Sequence, residues 1–262
     1  MREILLSMKK ISKAFPGVQA LKNVDFHVGK GEIHALMGEN GAGKSTLIKI
    51  LTGIYQKDAG EILFDGKAIA PATSTAAQSL GISTIYQEIN LVPNLSVCEN
   101  IFLGRFPKAK GKIDWEKVEI ESQRLVDSIG VDIDVRVLVR ELSTPMQQMV
   151  AIVRAMSLNA KIMIVDEATS SLDENEVAVF FRILRQLKER GISVIFISHR
   201  LNEIYEICDY LTILKDGELV GEYPKDKLSR LDLVSKMIGR DASIIARKER
   251  AKSCKTDNAK VA

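Results

Sequence analysis

Cysteine is scarce in this chain. Cys98, Cys208 and Cys254 are three in 262 residues, scattered and without metal-ligand spacing. That argues against a disulfide framework and fits a reducing compartment. No apolar run approaches the ~18 residues of a membrane-spanning helix. Near the N-terminus the one apolar run is Ile4-Leu5-Leu6, far too short for a signal peptide. Charge of one sign is also scarce. Lys plus Arg number 37 against 34 Asp plus Glu, a net +3 that leaves no strong footprint for nucleic acid. Much of that excess sits after Asp241, in Arg247, Lys248, Arg250, Lys252, Lys255 and Lys260. Long coiled-coil heptads and zinc-ligand clusters are missing too, which disfavours proteins that act on DNA or chromosomes. The composition that remains, 46% hydrophobic and 27% charged, is that of a soluble globular domain.

What is present is a phosphate-binding loop. Gly38-Glu39-Asn40-Gly41-Ala42-Gly43-Lys44-Ser45-Thr46 matches G-x-x-x-x-G-K-[ST] in full. The glycines let backbone N–H groups converge on phosphate oxygens with no Cβ in the way. Lys44 can carry an ammonium to the β- and γ-phosphates, and Ser45 can offer its hydroxyl to Mg²⁺. The helix that follows adds its positive end. The apolar segment Glu32–Met37 before the loop reads as a buried strand, and the residues from Thr46 have helical spacing.

The rest of the chain alternates in character. Ile4–Val28 reads as strands. A hairpin is expected at Glu61–Phe64 and Lys67–Ile69, around the Asp65-Gly66 turn. A short helix from about Thr73 leads to the strand Ile82–Tyr86. From about Asn90 to Ala160 the pattern is helical. Ser96, Asp114 and Ser143 are candidate caps, and Trp115 reads as a helix-packing residue beside Val118, Leu125 and Ile129. Strand and helix then alternate through Lys161–Val165, Glu174–Arg190, Ile192–Ser198, Leu201–Cys208 and Tyr210–Leu214, which implies a parallel α/β core. The expected organisation is a nucleotide-binding core over 1–90 and 158–239, a helical insertion over 91–157 and a charged tail or linker over 240–262.

Ile162–Val165 ends in two carboxylates, Asp166 and Glu167. A P-loop enzyme needs one acid at a neighbouring strand end to hold Mg²⁺ through its water shell, and Asp166 fits. A second acid beside it could polarise a water for in-line attack, and Glu167 fits that. Standing alone, the pair would equally be a strand running into a polar loop.

With these residues in view, the chain resembles the ATP-binding-cassette (ABC) ATPases over about Ile4 to Gly239. Ala168-Thr169-Ser170-Ser171-Leu172-Asp173 resembles their D-loop, and Ile197-Ser198-His199-Arg200 their switch-histidine segment. Tyr86-Gln87-Glu88 resembles their Q-loop. The stretch from Ser12 to Val18, with Phe15, resembles the loop whose aromatic stacks on adenine. The resemblance implies an α/β fold: a P-loop core with an N-terminal antiparallel β subdomain and an inserted α-helical subdomain. It implies that Phe15 and Val18 contact the base, that Gln87 joins the Mg²⁺ shell, and that His199 bonds the γ-phosphate and orients water with Glu167. It also implies a cassette on the cytoplasmic face of a membrane, working with a permease and indirectly with a solute-binding protein. His27 and His34 carry no such role. The stretch from Gln87 to Arg105 is similar to that of ribose-, galactose- or xylose-type importers, and resembles their N-terminal cassette. Two such cassettes usually lie in tandem there, so this chain could be a fragment or a free-standing subunit.

One motif departs from the family pattern. The signature, usually Leu-Ser-Gly-Gly-Gln, reads Leu142-Ser143-Thr144-Pro145-Met146. Proline has no N–H and a fixed φ, so it cannot offer the backbone donor of the usual glycine. A first helical turn tolerates proline, so folding need not suffer. In the family the signature completes the opposite protomer's site, which points to a second, non-identical ATPase domain. The leading expectation is an energy-coupling ATPase for sugar import. The alternative is a nucleotide-gated module that hardly hydrolyses ATP.

Overall fold

Alternation of apolar and polar residues, broken by glycine turns, divides the chain into three blocks. The computed structural model describes residues 2–86 and 90–238. The first block runs β1 (Ile4–Phe15), β2 (Val18–Gly29), β3 (Ile33–Met37), α1 (Lys44–Leu51), β4 (Ala59–Phe64), β5 (Lys67–Ala68), α2 (Ser74–Ser79) and β6 (Ile82–Ile85). The second holds α3 (Val97–Phe102), the small hairpin of β7 (Lys108–Ala109) and β8 (Lys112–Ile113), α4 (Trp115–Ser128) and α5 (Thr144–Met156). The third runs β9 (Ile162–Asp166), α6 (Glu174–Glu189), β10 (Ser193–Ile197), α7 (Leu201–Ile207), β11 (Tyr210–Lys215), β12 (Glu218–Pro224) and α8 (Arg230–Ile238).

Two larger sheets result. β2-β1-β4-β5 is antiparallel throughout, and Asp65-Gly66 makes its last turn, as the pattern predicts. The second sheet has the order β12-β11-β3-β10-β9-β6, parallel except for its edge strand β12. Its central strands are buried on both faces, which is why they read as unbroken apolar runs. Odd and even positions then belong to different cores. Ile33, Ala35 and Met37, Met163 and Val165, and Val194 and Phe196 pack against the helices of the second and third blocks. Leu36, Ile162, Ile164, Ile195 and Ile197 pack with α1 and the antiparallel sheet. A one-residue slip of any of these strands would exchange the two cores, so register is strongly specified.

The helical block shows which caps form. Thr73 accepts from the Ala76 amide at 3.1 Å and Asp114 from the Lys117 amide at 3.1 Å. Ser96 and Glu99 form a reciprocal capping box. Ser143 stands at the N-cap of α5 but its side chain makes no capping bond, against the expectation that it caps that helix. Trp115 also departs from expectation. It is 46% exposed and leans on Phe106, with ring centroids 5.4 Å apart, while Val118, Ser122 and Val126 form the buried face of α4. Helical side chains tilt toward the N-terminus, so that of a first residue projects past the helix end rather than into the bundle. β12 and α8 were not expected: both are short and amphipathic, and their burial depends on β11.

Candidate nucleotide site

The P-loop leaves the C-terminal end of β3 and enters α1, so the backbone N–H groups of a first helical turn converge at the sheet's edge. Glycine is required at Gly43. Its φ is +103°, and an added Cβ would lie 2.8 Å from the Ala20 carbonyl oxygen and 2.7 Å from Leu21 Cδ2. The loop is braced from below by the β11–β12 turn. The Gly217 amide donates to the Ala42 carbonyl at 3.2 Å, and the Lys22 amide donates to the Gly217 carbonyl at 2.7 Å. Glu39, Asn40, Gly41 and Ser45 are exposed along the loop, while Gly38, Gly43, Lys44 and Thr46 are half-buried and Ala42 is buried.

Lys44 folds back over the loop. Its ammonium donates to the carbonyls of Gly38 at 2.7 Å and Glu39 at 3.0 Å. Burial pushes its pKa down, against the opposing pull of Glu167 and Asp166. Those two carboxylates share one environment with it. The Asp166 carboxyl is pushed up, first by burial and then by its neighbour Glu167, with Lys44 and Lys49 acting in the other direction. Two carboxylates and two lysines thus meet at the end of β9, and the carboxylate oxygens are hard donors of the kind a divalent cation takes.

Sheet topology corrects one expectation. Asp166 is not at the end of the strand next to the P-loop strand. β10 lies between β3 and β9, with Asp166 opposite Ile197. This insertion brings His199 in: the segment after β10 emerges between the loop and the carboxylates. The Glu167 amide extends the ladder by donating to the Ile197 carbonyl at 2.9 Å. Glu167 has φ +50°, a left-handed conformation that non-glycine residues adopt rarely. His199 Nδ1 lies 3.5 Å from Glu167 Oε1, and the His199 side chain is 69% exposed. An imidazole and a carboxylate so placed, with an ammonium nearby, can hold a water between them and receive its proton.

The remaining predicted positions fall as follows. Phe15 is half-buried, its ring edge-on to Tyr55 at 5.2 Å, and Val18 pairs with it across a tight turn and is exposed. Asp173 is the N-cap of α6, in a capping box with Glu176, so its carboxylate already serves the helix. Leu142, Ser143, Thr144, Pro145 and Met146 stand at the entrance of α5, with Pro145 in its first turn and Ser143 and Thr144 exposed. Gln87 lies outside the described residues, as does the tail over 240–262. Two nearby residues were not anticipated. Gly217 supports the loop only because β12 folds back on β11. Glu203, in the first turn of α7, is buried against Thr169 and Ser198. Its signal in the sequence was faint: an acid four positions after a histidine at a helix start.

Comparison with known proteins agrees with this geometry. The family model described as ABC transporter matches residues 21–170. The galactofuranose transporter ATP-binding protein YtfR of Escherichia coli is 48% identical over 237 residues, 90% of this chain and 47% of that protein. The ribose import ATP-binding protein RbsA 1 of Rubrobacter xylanophilus is 50% identical over 90% of this chain and 47% of its own length. The galactose/methyl galactoside import ATP-binding protein MglA of Salmonella typhimurium is 48% identical over 91% and 47%. The chain thus spans about half the length of the curated relatives it matches. Among solved structures, the ADP conformation of MJ1267, an ATP-binding cassette of an ABC transporter, superposes with a TM-score of 0.79 at 25% identity, covering 90% of this chain and 97% of that one. The dimeric post-hydrolysis state of the cassette MJ0796, bound to ADP and Pi, superposes at 0.72 and 25% identity over 84% and 98%. The match to the family model over residues 21–170, and relatives near half identity along nine-tenths of the chain, show that this chain belongs to the ABC transporter family, with the fold of its ATPase cassettes.

Proposed function

We propose that this chain is the ATP-hydrolysing, energy-coupling cassette of an importer for a monosaccharide. The observation that carries the hydrolytic reading is Glu167, whose carboxylate lies 3.5 Å from His199 and shares its environment with Lys44. The P-loop amides and Lys44 bind the phosphates of ATP. Glu167 accepts the proton of the attacking water, and His199 orients that water and the γ-phosphate. Phe15 and Val18 meet the base. Mg²⁺ would be held by Ser45 and Asp166, with Gln87 completing the set, and would neutralise charge on the β- and γ-oxygens. The oxygen donors of Asp166, at the end of β9, support that fit. Among the described residues no three acidic, histidine or cysteine side chains converge on one point, so the protein supplies few ligands and the phosphates the rest.

A second cassette completes the site. The dimeric post-hydrolysis state of MJ0796 supports a paired arrangement. Pro145 supports a non-identical partner, because its missing N–H would weaken the partner's site and leave this one intact. Residues 91–157 form the lobe that transmits closure to a membrane permease, on the cytoplasmic face. The named sugar-import relatives support a carbohydrate as the solute, delivered by an external binding protein. No helix among the described residues is long and apolar enough to cross a membrane, in keeping with a separate permease. Glu167→Gln should lower turnover in the assembled transporter by about 10³-fold while ATP stays bound. Turnover indifferent to that change would sink the hydrolytic reading. The second reading, a nucleotide-gated cassette with little hydrolysis, is favoured by Pro145 alone.

A further inference from the structure

Glu203 is the most fully committed carboxylate near the site. It is 6% exposed, and its ion pair among the described residues is with Arg200. Its Oε2 accepts from two hydroxyls, Thr169 Oγ1 at 2.8 Å and Ser198 Oγ at 2.7 Å. Its Oε1 accepts from Arg200 Nη1 at 3.2 Å. Thr169 stands two residues after Glu167, and Ser198 immediately before His199. Arg200 closes the loop. Its backbone amide donates to Ser198 Oγ at 3.0 Å, and its guanidinium donates to the carbonyls of Thr169 at 3.3 Å and Ser170 at 3.2 Å. Both chain neighbours of His199 are thus held, while the imidazole itself is mostly exposed and faces Glu167. A buried carboxylate keeps its charge only when hydrogen-bonded, and here every bond goes to the segments that follow Glu167 or flank His199. Its place in the first turn of α7 adds the helix dipole.

Building on the hydrolytic reading above, we infer that Glu203 is a positioning residue. It locks the 168–173 segment to the 198–200 turn and so sets the His199 to Glu167 geometry. It acts through these bonds to protein groups. Movement of 168–173, such as docking against a second cassette would cause, is passed through Thr169 and Glu203 to the histidine.

The test measures steady-state ATP hydrolysis, MgATP affinity and melting temperature in the assembled transporter containing this chain. Glu203→Gln keeps the shape but puts an N–H donor where two hydroxyls donate. Expected is a fall in kcat of about 10- to 100-fold, with KM and nucleotide affinity within about twofold of wild type. Combined with His199→Ala, it should add little to the loss that His199→Ala causes alone, because both act through one geometry. If Glu203→Gln fails to fold, Thr169→Val and Ser198→Ala each remove one donor and should each lower kcat at constant KM. Losses that multiply with His199→Ala, or a kcat unchanged in variants that melt lower, would overturn the inference. Wild-type protein that does not turn over ATP would overturn the hydrolytic reading itself, a distinguishable failure.

Discussion

The P-loop and the entrance to α5 are both helix N-termini, yet they are built differently. The first is braced on every side. The β11–β12 turn supports it from below through Gly217, a lysine folds back over it, and two carboxylates at the end of β9 share its electrostatic environment. The second lacks that support: neither helix has a side-chain cap or an acid in its first turn, but at α5 Pro145 also removes one amide. A helix N-terminus left without a cap has unsatisfied N–H groups available to something outside it. On the function proposed above, the braced end is this chain's share of the nucleotide site. The unbraced end has its donors to offer elsewhere, with one missing.

That contrast can be broken experimentally, the largest effect coming at the braced end. Gly43→Ala forces a side chain at φ +103° against the Ala20 carbonyl and should cost about 3 kcal/mol in urea unfolding, with loss of binding to a fluorescent ATP analogue. Unchanged stability there would mean that the loop is not braced as described. At the unbraced end, Pro145→Gly restores an amide. It should raise ATP turnover of the isolated chain by about 10- to 100-fold if a missing donor limits a symmetric pair. No change would remove Pro145 as the reason for a non-identical partner.

A further prediction concerns the brace behind β3. Arg2 Nε donates to Glu32 at 2.7 Å, its guanidinium also bonds Glu222, and its plane lies 3.9 Å over the Tyr210 ring. His34, fully buried, sits 3.0 Å from Glu32 and 2.7 Å from Thr212. Burial pushes the Glu32 carboxyl up, but hydrogen bonds from His34, Arg2 and the Gly29 amide prevail and bring it down to about 2. A depressed carboxylate stabilises the fold above its ordinary value of 4.5, and that contribution is lost as pH falls toward 2. Arg2→Met should cost about 2 kcal/mol at neutral pH and flatten the acid limb of the stability curve across that window. An unaltered limb would show that the cluster does not brace β3. The smallest effect compares two serines. Ser96→Ala breaks a capping box and should cost about 1 kcal/mol, whereas Ser143→Ala, with no bond to lose, should stay within about 0.5 kcal/mol. Equal losses would erase the distinction between a capped and an uncapped helix.

Local chemistry explains which parts were legible beforehand. The strand, loop and helix around Lys44 were readable because glycine, lysine and serine at fixed spacing suit few other tasks. So were the Asp65-Gly66 hairpin and the caps at Ser96 and Asp114, each of which depends on residues a few positions apart. Ser143 looked the same in sequence and does not cap, because a hydroxyl's bond depends on a rotamer that spacing does not reveal. Trp115 carried a core residue's identity to a helix end where no core lies.

The sequence by itself determined the P-loop motif, the alternating α/β pattern and the proline in the signature-like stretch, since these rest on residue type and short-range period. Only the tertiary structure decided that β10 stands between the P-loop strand and the carboxylate strand, which sets His199 beside Glu167. It alone placed Gly217 beneath the loop and Glu203 beneath the histidine turn. The reason is physical. Strand order and hydrogen bonds between distant segments follow from which faces bury together across the whole sheet, and no local window of sequence contains that choice.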